Sequence, residues 1–326
     1  MRGFRLVAMV LAFAVVLFVT PGAWSAAGTL TSFGCGYASG VNGSVNSVPQ
    51  IVGWTSDKTT YGFYNVPVTN PTAGCGSEFK VAGSTDTRII GVGRGNVLVG
   101  YYKTGSGGAP WNSFVSLNGA APATFSVGAS AYTRAAGVAN AGSDATHVWV
   151  VGQYQANGSQ HGFAVQFNVT NTPPTISLGP YTFDITGATS TGPNGINDSG
   201  QIVGGFSDSN NVKHGFLTTL LAVQSGRYVS ASGSQIDCSG AGGANVYGIS
   251  DSSGNGSGGP LIVGAAVVSN TVNYAFYAPA ATGTISCTSI LAGSGSGQAW
   301  ASAIDTAGQW IVGHGTKQGA FVYQVY

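Results

Sequence analysis

Residues 195–216 read G-I-N-D-S-G-Q-I-V-G-G-F-S-D-S-N-N-V-K-H-G-F. The stretch has four parts: a turn built on Asn, a short apolar run closing on Gly, a polar loop, and a small residue followed by Phe. Six copies lie along the chain. The first, Val45-Asn46-Ser47-Val48-Pro49-Gln50-Ile51-Val52-Gly53, aligns without a gap on residues 196–204 and leads to Tyr61-Gly62-Phe63. The second carries Val97-Leu98-Val99-Gly100 and Phe114; the third carries Asn140, Val150-Val151-Gly152 and His161-Gly162-Phe163. The quoted stretch is the fourth. The fifth holds Ile249-Ser250-Asp251, Leu261-Ile262-Val263-Gly264 and Tyr274-Ala275-Phe276; the sixth holds Ile304-Asp305, Ile311-Val312-Gly313 and Gly319-Ala320-Phe321.

The closing glycines stand at 53, 100, 152, 204, 264 and 313, so the copies are 47 to 60 residues apart. A period near 50 with several short strands per unit is the mark of propeller blades. The apolar runs are continuous rather than alternating, as expected of strands buried on both faces between stacked blades. Gly at the end of each run allows a close backbone approach that a side chain would block. Asn46, Asn140, Asn197 and Asp305 are expected at the preceding turn, bonding the backbone two residues on. Five residues follow Phe321, so the last unit lacks an outer strand, and residues 28–33 (G-T-L-T-S-F) have no earlier unit to join. The expectation is an all-β, six-bladed β-propeller closed by its N-terminal strand, which would leave no open sheet edge.

Composition agrees. Charged residues are 6% of the chain, against about 25% in an average soluble protein, and Gly reaches 53 of 326. Helix formers are scarce, with Glu only at 78, whereas Val, Ile, Phe, Tyr and Trp are plentiful. Arg2 and Arg5, the apolar residues 6–19 and a small-residue site near 23–27 read as an export signal over residues 1–25. Fourteen apolar residues fall short of the roughly 20 needed to span a bilayer, so no transmembrane span is expected once the signal is removed, and residues 26–326 form the single propeller domain. The remainder has 9 basic and 10 acidic residues without Lys/Arg clusters, which excludes a nucleic-acid-binding surface.

Counted back from the turn position, Cys35 lies 11 residues before Asn46 and Cys238 lies 12 before Ser250; Cys75 lies 18 before Gly93 and Cys287 lies 18 before Asp305. Of the three possible connectivities, repeat phase selects Cys35–Cys75 with Cys238–Cys287. Export supplies the oxidising compartment. No Cys has another Cys or a His two to four residues away, so a metal role is not expected.

The units I-N-D-S-G-Q-I-V-G…H-G-F and I-D-T-A-G-Q-W-I-V-G…G-A-F resemble HAF repeats, found in secreted bacterial proteins described as probable extracellular repeat proteins. The likeness spans about residues 41–323, strongest in copies four and six and poorest in two and three. His161-Gly162-Phe163 and His214-Gly215-Phe216 keep the His and Phe of the family's tripeptide; Tyr274-Ala275-Phe276 and Gly319-Ala320-Phe321 keep its Ala and Phe. The resemblance implies a secreted, β-rich repeat protein and brings no catalytic residues.

Chemistry is thinly represented. His161 and His214 precede Phe at one repeat phase and read as structural; His147 and His314 lack ligand spacing. Asp198, Asp251 and Asp305 fall at the turn, a solvated place where Asp is ordinary, and no catalytic constellation can be drawn from nine Asp and one Glu. The oxygen-rich loops 207–211 and 250–255 lack EF-hand spacing, so no metal or cofactor is expected. The loops after the closing glycines hold Lys58, Lys103, Lys213 and Lys317, with Asp57, Asp208 and Trp111. On a propeller these loops share one face, the candidate ligand face. Trp54 and Tyr101, next to the buried runs, are expected in the core. The reading is a secreted or periplasmic, non-catalytic binding or surface-interaction module whose partner is an extracellular ligand, glycan or surface protein. The alternatives are a polysaccharide hydrolase or lyase on the same scaffold and a structural matrix component.

Overall fold

The computed structural model describes residues 29–325 except 34, 46–47, 56–59, 71–73, 130–131, 227, 232, 253–257, 270–271, 292–296 and 317–318. The expected signal at residues 1–25 lies outside the described residues. The chain forms a six-bladed β-propeller, each blade an antiparallel sheet numbered here from the axis outward. Blade 1 comprises Tyr37–Val45, Val48–Trp54, Gly62–Pro67 and Ser77–Phe79; blade 2 comprises Asp86–Gly93, Val97–Lys103, Asn112–Leu117 and Ala123–Phe125. Blade 3 is built from Thr133–Ala141, Asp144–Ala156, Ser159–Asn168 and Thr175–Ile185, and blade 4 from Ser190–Ile196, Gln201–Ser207, Lys213–Thr219 and Gln235–Cys238. Blade 5 has Gly243–Ile249, Leu261–Ser269, Val272–Pro279 and Thr288–Leu291. Blade 6 has Ala299–Ile304, Trp310–Gly315 and Gly319–Gln324, and its outer strand is Thr29–Ser32, antiparallel to Gly319–Gln324. The ring is thus closed by the N-terminal strand.

The continuous apolar runs have a simple cause. Successive strand residues point to opposite faces, and each face of a blade meets a different neighbour. Ile51 joins the core between blades 6 and 1, and Val52 the core between 1 and 2. Leu98 and Val99 divide in the same way between seams 1–2 and 2–3, as do Val150 and Val151 between 2–3 and 3–4. Ile202/Val203, Ile262/Val263 and Ile311/Val312 carry the pattern round to the seam between blades 6 and 1. All twelve residues are fully buried.

The closing glycine and the Phe of each copy are cross-strand partners: Gly53↔Phe63, Gly100↔Phe114, Gly152↔Phe163, Gly204↔Phe216, Gly264↔Phe276 and Gly313↔Phe321. A Cβ on any of these glycines would meet both the Phe ring and a carbonyl oxygen of the inner strand, such as Arg88 O at Gly100. Each glycine therefore makes room for a buried ring laid across its backbone.

Both expected disulfides form, with Cα separations of 5.3 Å for Cys35–Cys75 and 5.5 Å for Cys238–Cys287. Each joins the segment leaving one blade's outer strand to the segment entering the next blade's outer strand, across seams 6–1 and 4–5. The first bond therefore spans the seam that closes the ring. Disulfides form and persist outside reducing compartments, consistent with a non-cytoplasmic protein. Among the described residues no helix is long and apolar enough to cross a membrane.

The pairing register corrects the gap-free alignment of the first copy. Val41 faces Ile51 as Ile196 faces Ile202, so the counterpart of Asn197 is Asn42, not Asn46. Blade 1 has a hairpin longer by four residues, and Asn46 lies outside the described residues. In blade 3 Val138 faces Val150, which puts Asn140 one position past the turn residue. Cys35 is therefore 7 residues before its turn residue, not 11. The cysteine pairing survives because Cys35 and Cys238 both follow an outer strand. Asn197 and Asp305 do occupy the turn, but their Oδ1 atoms accept from amides four and five residues on, Gln201 and Gln309/Trp310, rather than two.

Candidate functional site

Each inner strand carries one β-bulge at the same place, after Ala38, Ile89, Ala135, Pro193, Val246 and Ala301. A bulge leaves one residue unpaired and re-aims its side chain. The unpaired residues Ser39, Ile90, Ala136, Asn194, Tyr247 and Ser302 line a central cavity of about 370 Å³. The next residues, Gly40, Gly91, Gly137, Gly195, Gly248 and Ala303, let the six strands converge. A Cβ on Gly137 would lie 2.8 Å from the Cα of Gly195, and one on Gly195 would lie 3.1 Å from the Cα of Gly248. Val41, Val92, Val138, Ile196, Ile249 and Ile304 then form an apolar collar.

Below the collar the axis is crossed by an ion pair. Arg94, from blade 2, reaches Asp198 Oδ2 of blade 4 at 3.1 Å and Asp251 Oδ2 of blade 5 at 2.9 Å. The remaining carboxylate oxygens accept backbone N–H groups from Asn140 and Asp198, at 2.9 and 2.8 Å. Burial and the neighbouring Asp251 push the Asp198 carboxyl above the usual carboxylate range. The expectation that these turn aspartates are solvated is corrected: Asp198 and Asp251 are partly buried and Asp305 is 1% exposed. They sit where six turns crowd toward one axis.

The upper mouth is different. There the first cavity-facing residue of each inner strand pairs with the residue after the closing glycine: Tyr37↔Trp54, Arg88↔Tyr101, Arg134↔Gln153, Gly192↔Gly205, Asn245↔Ala265 and Trp300↔His314. Trp300 stacks on His314 at 4.7 Å between centroids, His314 meets the edge of Tyr37 at 5.4 Å, and Tyr37 stacks on Trp54 at 4.1 Å. The Arg88 guanidinium lies 4.1 Å from the Trp54 centroid and 5.2 Å from that of Trp111. Arg134 continues the arc, 4.9 Å from Trp111, 4.7 Å from Tyr101 and 4.2 Å from Tyr132. An unbroken run of rings and cations thus crosses blades 6, 1, 2 and 3. Blades 4 and 5 contribute glycine and amides instead, with Asn194 Nδ2 donating to Asn245 Oδ1 at 3.2 Å and to Val246 O at 2.9 Å. Burial holds the His314 imidazole below its ordinary pKa and pushes the Tyr247 phenol up to about 12, so both are neutral groups at the mouth.

The loop residues expected on the ligand face divide. Lys103 and Trp111 come together, with Lys103 Nζ 5.0 Å from the Trp111 centroid. Each also borders a shallow groove beyond the mouth, of about 530 and 360 Å³ respectively. Lys213 lines a separate cleft of about 100 Å³ with Gln153, Gln160, Asn194 and Asn245. Asp208 is turned into its own loop, where Oδ1 accepts from Asn210 N and Val212 N, both at 2.8 Å. Asp57, Lys58 and Lys317 lie outside the described residues. Trp54 and Tyr101, expected in the core, are instead half-buried, because the strand passes the seam at the closing glycine and its next residue emerges at the mouth. Arg88 and Arg134 were not singled out from sequence. The available signal was positional: an aromatic or hydrogen-bonding residue follows the closing glycine in four of six copies. His161 and His214 are structural as expected, bonded at 2.9 and 2.8 Å to Asp184 and Asp237, each 23 residues later.

No family model and no curated protein matches the chain. Among the solved structures similar to it is a triple arginine-to-alanine mutant of AofleA from Arthrobotrys oligospora, with TM-score 0.41 and 11% identity, covering 90% of this chain and 85% of that one. Two crystal structures of Sqt1 from Chaetomium thermophilum are also similar. One has TM-score 0.37, 11% identity and coverage of 90% and 73%; the other has 0.36, 10%, and 91% and 72%.

Proposed function

We propose that the protein is a secreted or periplasmic, non-catalytic glycan-binding module whose ligand sits at the upper mouth of the central cavity. The observation that carries this reading is the arc from Trp300 to Arg134, which offers ring faces and fixed cations beside the amides of Gln153, Asn194 and Asn245. Sugar rings present apolar C–H faces and hydroxyl edges, and such a wall meets both. A cavity of about 370 Å³ accommodates a monosaccharide unit, with the adjoining grooves available to the rest of a chain. Binding is favoured over hydrolysis because every described aspartate is engaged, with Arg, His or its own backbone. The Asp198/Asp251 pair lies beyond the collar, held by Arg94, away from the mouth.

We also assign the repeats to the HAF family, since the family's Phe position is the ring laid across the closing glycine. A profile built from the six blades should retrieve HAF repeats at the third strand. Export is tested by sequencing the N-terminus of protein recovered from medium or periplasm, with cleavage expected near residue 25. A glycan array run beside turnover assays tests the ligand and the absence of catalysis together. Binding without product formation is the expected result; hydrolysis abolished by a single Asp→Asn substitution would overturn it.

A further inference from the structure

Arg134 is the one described arginine to which no carboxylate is paired. Arg94 holds Asp198 and Asp251. Arg88 is clamped by Asp86, with Nε to Oδ1 at 3.1 Å and Nη2 to Oδ2 at 3.0 Å. Arg88 and Arg134 occupy the same position in adjacent blades, each beginning the cavity-facing part of its inner strand. Two residues earlier blade 2 places Asp86, whereas blade 3 places Tyr132. The ring replaces the counter-ion. The Arg134 guanidinium is therefore half-buried among Tyr101, Trp111 and Tyr132, and its Nε is buried without a hydrogen-bond partner. A fixed guanidinium in aromatic walls is a strong, planar seat for an oxyanion. Among the described ionised groups of this rim, Arg88, Lys103 and Arg134 stand against Asp86 alone. Gln153, across the strand from Arg134, adds an amide on the same cavity wall.

We propose that Arg134 seats an anionic substituent of the ligand, so that the glycan bound at the upper mouth is acidic, bearing a carboxylate or a sulfate. The inference rests on the glycan-binding reading and narrows it. Charge-assisted pairing with a half-buried arginine is worth about tenfold or more in affinity.

The test is titration calorimetry of the full protein with four oligosaccharides of similar length: an oligogalacturonate, its neutral methyl ester, a sulfated galactan fragment and a neutral glucan. The expected result is at least a tenfold preference for an acidic over a neutral ligand, weakening as ionic strength rises. Arg134→Gln should abolish that preference while leaving the weaker neutral binding. Tyr132→Asp, which copies the clamp of blade 2, should do the same by supplying an internal counter-ion, and it keeps the experiment decisive if Arg134→Gln fails to fold. Uronate binding alone identifies a carboxylate source; equal binding of the sulfated fragment, lost in the same variants, identifies a general oxyanion seat. Equal affinity for the uronate and its ester, or a preference persisting in both variants, overturns the inference and leaves glycan binding intact. No binding of any of the four overturns both.

Discussion

Replacing Asp305 with Asn should make this protein more stable, and the repeat explains why. At the turn position, Asn42 Nδ2 donates to Gly93 O and Asn197 Nδ2 donates to Ser250 O, each the carbonyl of the corresponding residue in the next blade. By the same relation Asp305, in blade 6, faces the carbonyl of Asn42 in blade 1. A carboxylate has nothing to donate, and Asp305 Oδ2 is indeed buried without a partner. Oδ1 accepts from Gln309 N at 2.7 Å and Trp310 N at 2.8 Å, contacts an amide oxygen keeps. An unsatisfied buried acceptor costs about 1–3 kcal/mol and a new hydrogen bond contributes about 1 kcal/mol. Losing the charge from the two Oδ1 contacts offsets part of this, leaving a net gain of about 1–2 kcal/mol at pH 7. Burial raises the Asp305 carboxyl above its ordinary 3.8, against the pull of the Trp310 and Gln309 amides. A raised folded-state pKa means that the fold prefers the protonated acid. That stabilisation is complete below about 3.8 and is lost as pH rises through the folded-state value. The advantage of Asp305→Asn should therefore be largest at neutral pH and shrink on acidification. Urea unfolding of both proteins across this range measures it. A variant less stable than the parent at pH 7, or a difference independent of pH, would refute the reasoning.

Three further outcomes follow from the packing. Trp111→Ala removes the ring that lies beside Arg88, Lys103 and Arg134 together, so glycan affinity measured by calorimetry should fall about thirtyfold or more with thermal stability little changed. Gly100→Ala forces a Cβ against Arg88 O and the Phe114 ring; denaturant unfolding should show a loss of about 1–3 kcal/mol or more, only partly relieved by Phe114→Leu. Replacing Cys35 and Cys75 by Ser should destabilise by up to about 4 kcal/mol in the chain-entropy account and raise hydrogen exchange in Thr29–Ser32 and Gly319–Gln324; the Cys238/Cys287 double variant should leave those strands protected.

The architecture was legible because its causes are local and repeated. Ile202-Val203 is apolar at consecutive positions only because its two faces meet two different blades, and Gly204 and Phe216 recur because each needs the other across the strand. The inner strands were harder to see. Their pattern, a lining residue then Gly then Val or Ile, is present from Ser39-Gly40-Val41 to Tyr247-Gly248-Ile249, but among 53 glycines it does not stand out. The length of the blade 1 hairpin was hidden because Asn42 and Asn46 are both acceptable turn residues and only the pairing of Val41 with Ile51 decides between them. The site was least legible of all. The three rings around Arg134 come from positions 101, 111 and 132, on two blades, and nothing short of strand register brings them together.

The distribution of the site over the blades follows from what a repeat can and cannot carry. Residues that serve the fold must recur, since every blade has the same two seams to fill; residues that serve one ligand need occur only once. Blade 4, whose sequence states the repeat most plainly, has Gly192 and Gly205 at the paired mouth position and offers no ring there. Blades 2 and 3, where the repeat is most worn, hold Arg88, Tyr101, Trp111, Tyr132 and Arg134. Their apolar runs and Gly–Phe pairs stay intact while the mouth positions diverge, so the divergence is confined to side chains the seams do not need. In a ring of equivalent modules, departure from the repeat at a solvent-facing position is therefore the better guide to function. By that criterion the rim of blades 2 and 3 is where substitutions should change binding without unfolding the protein.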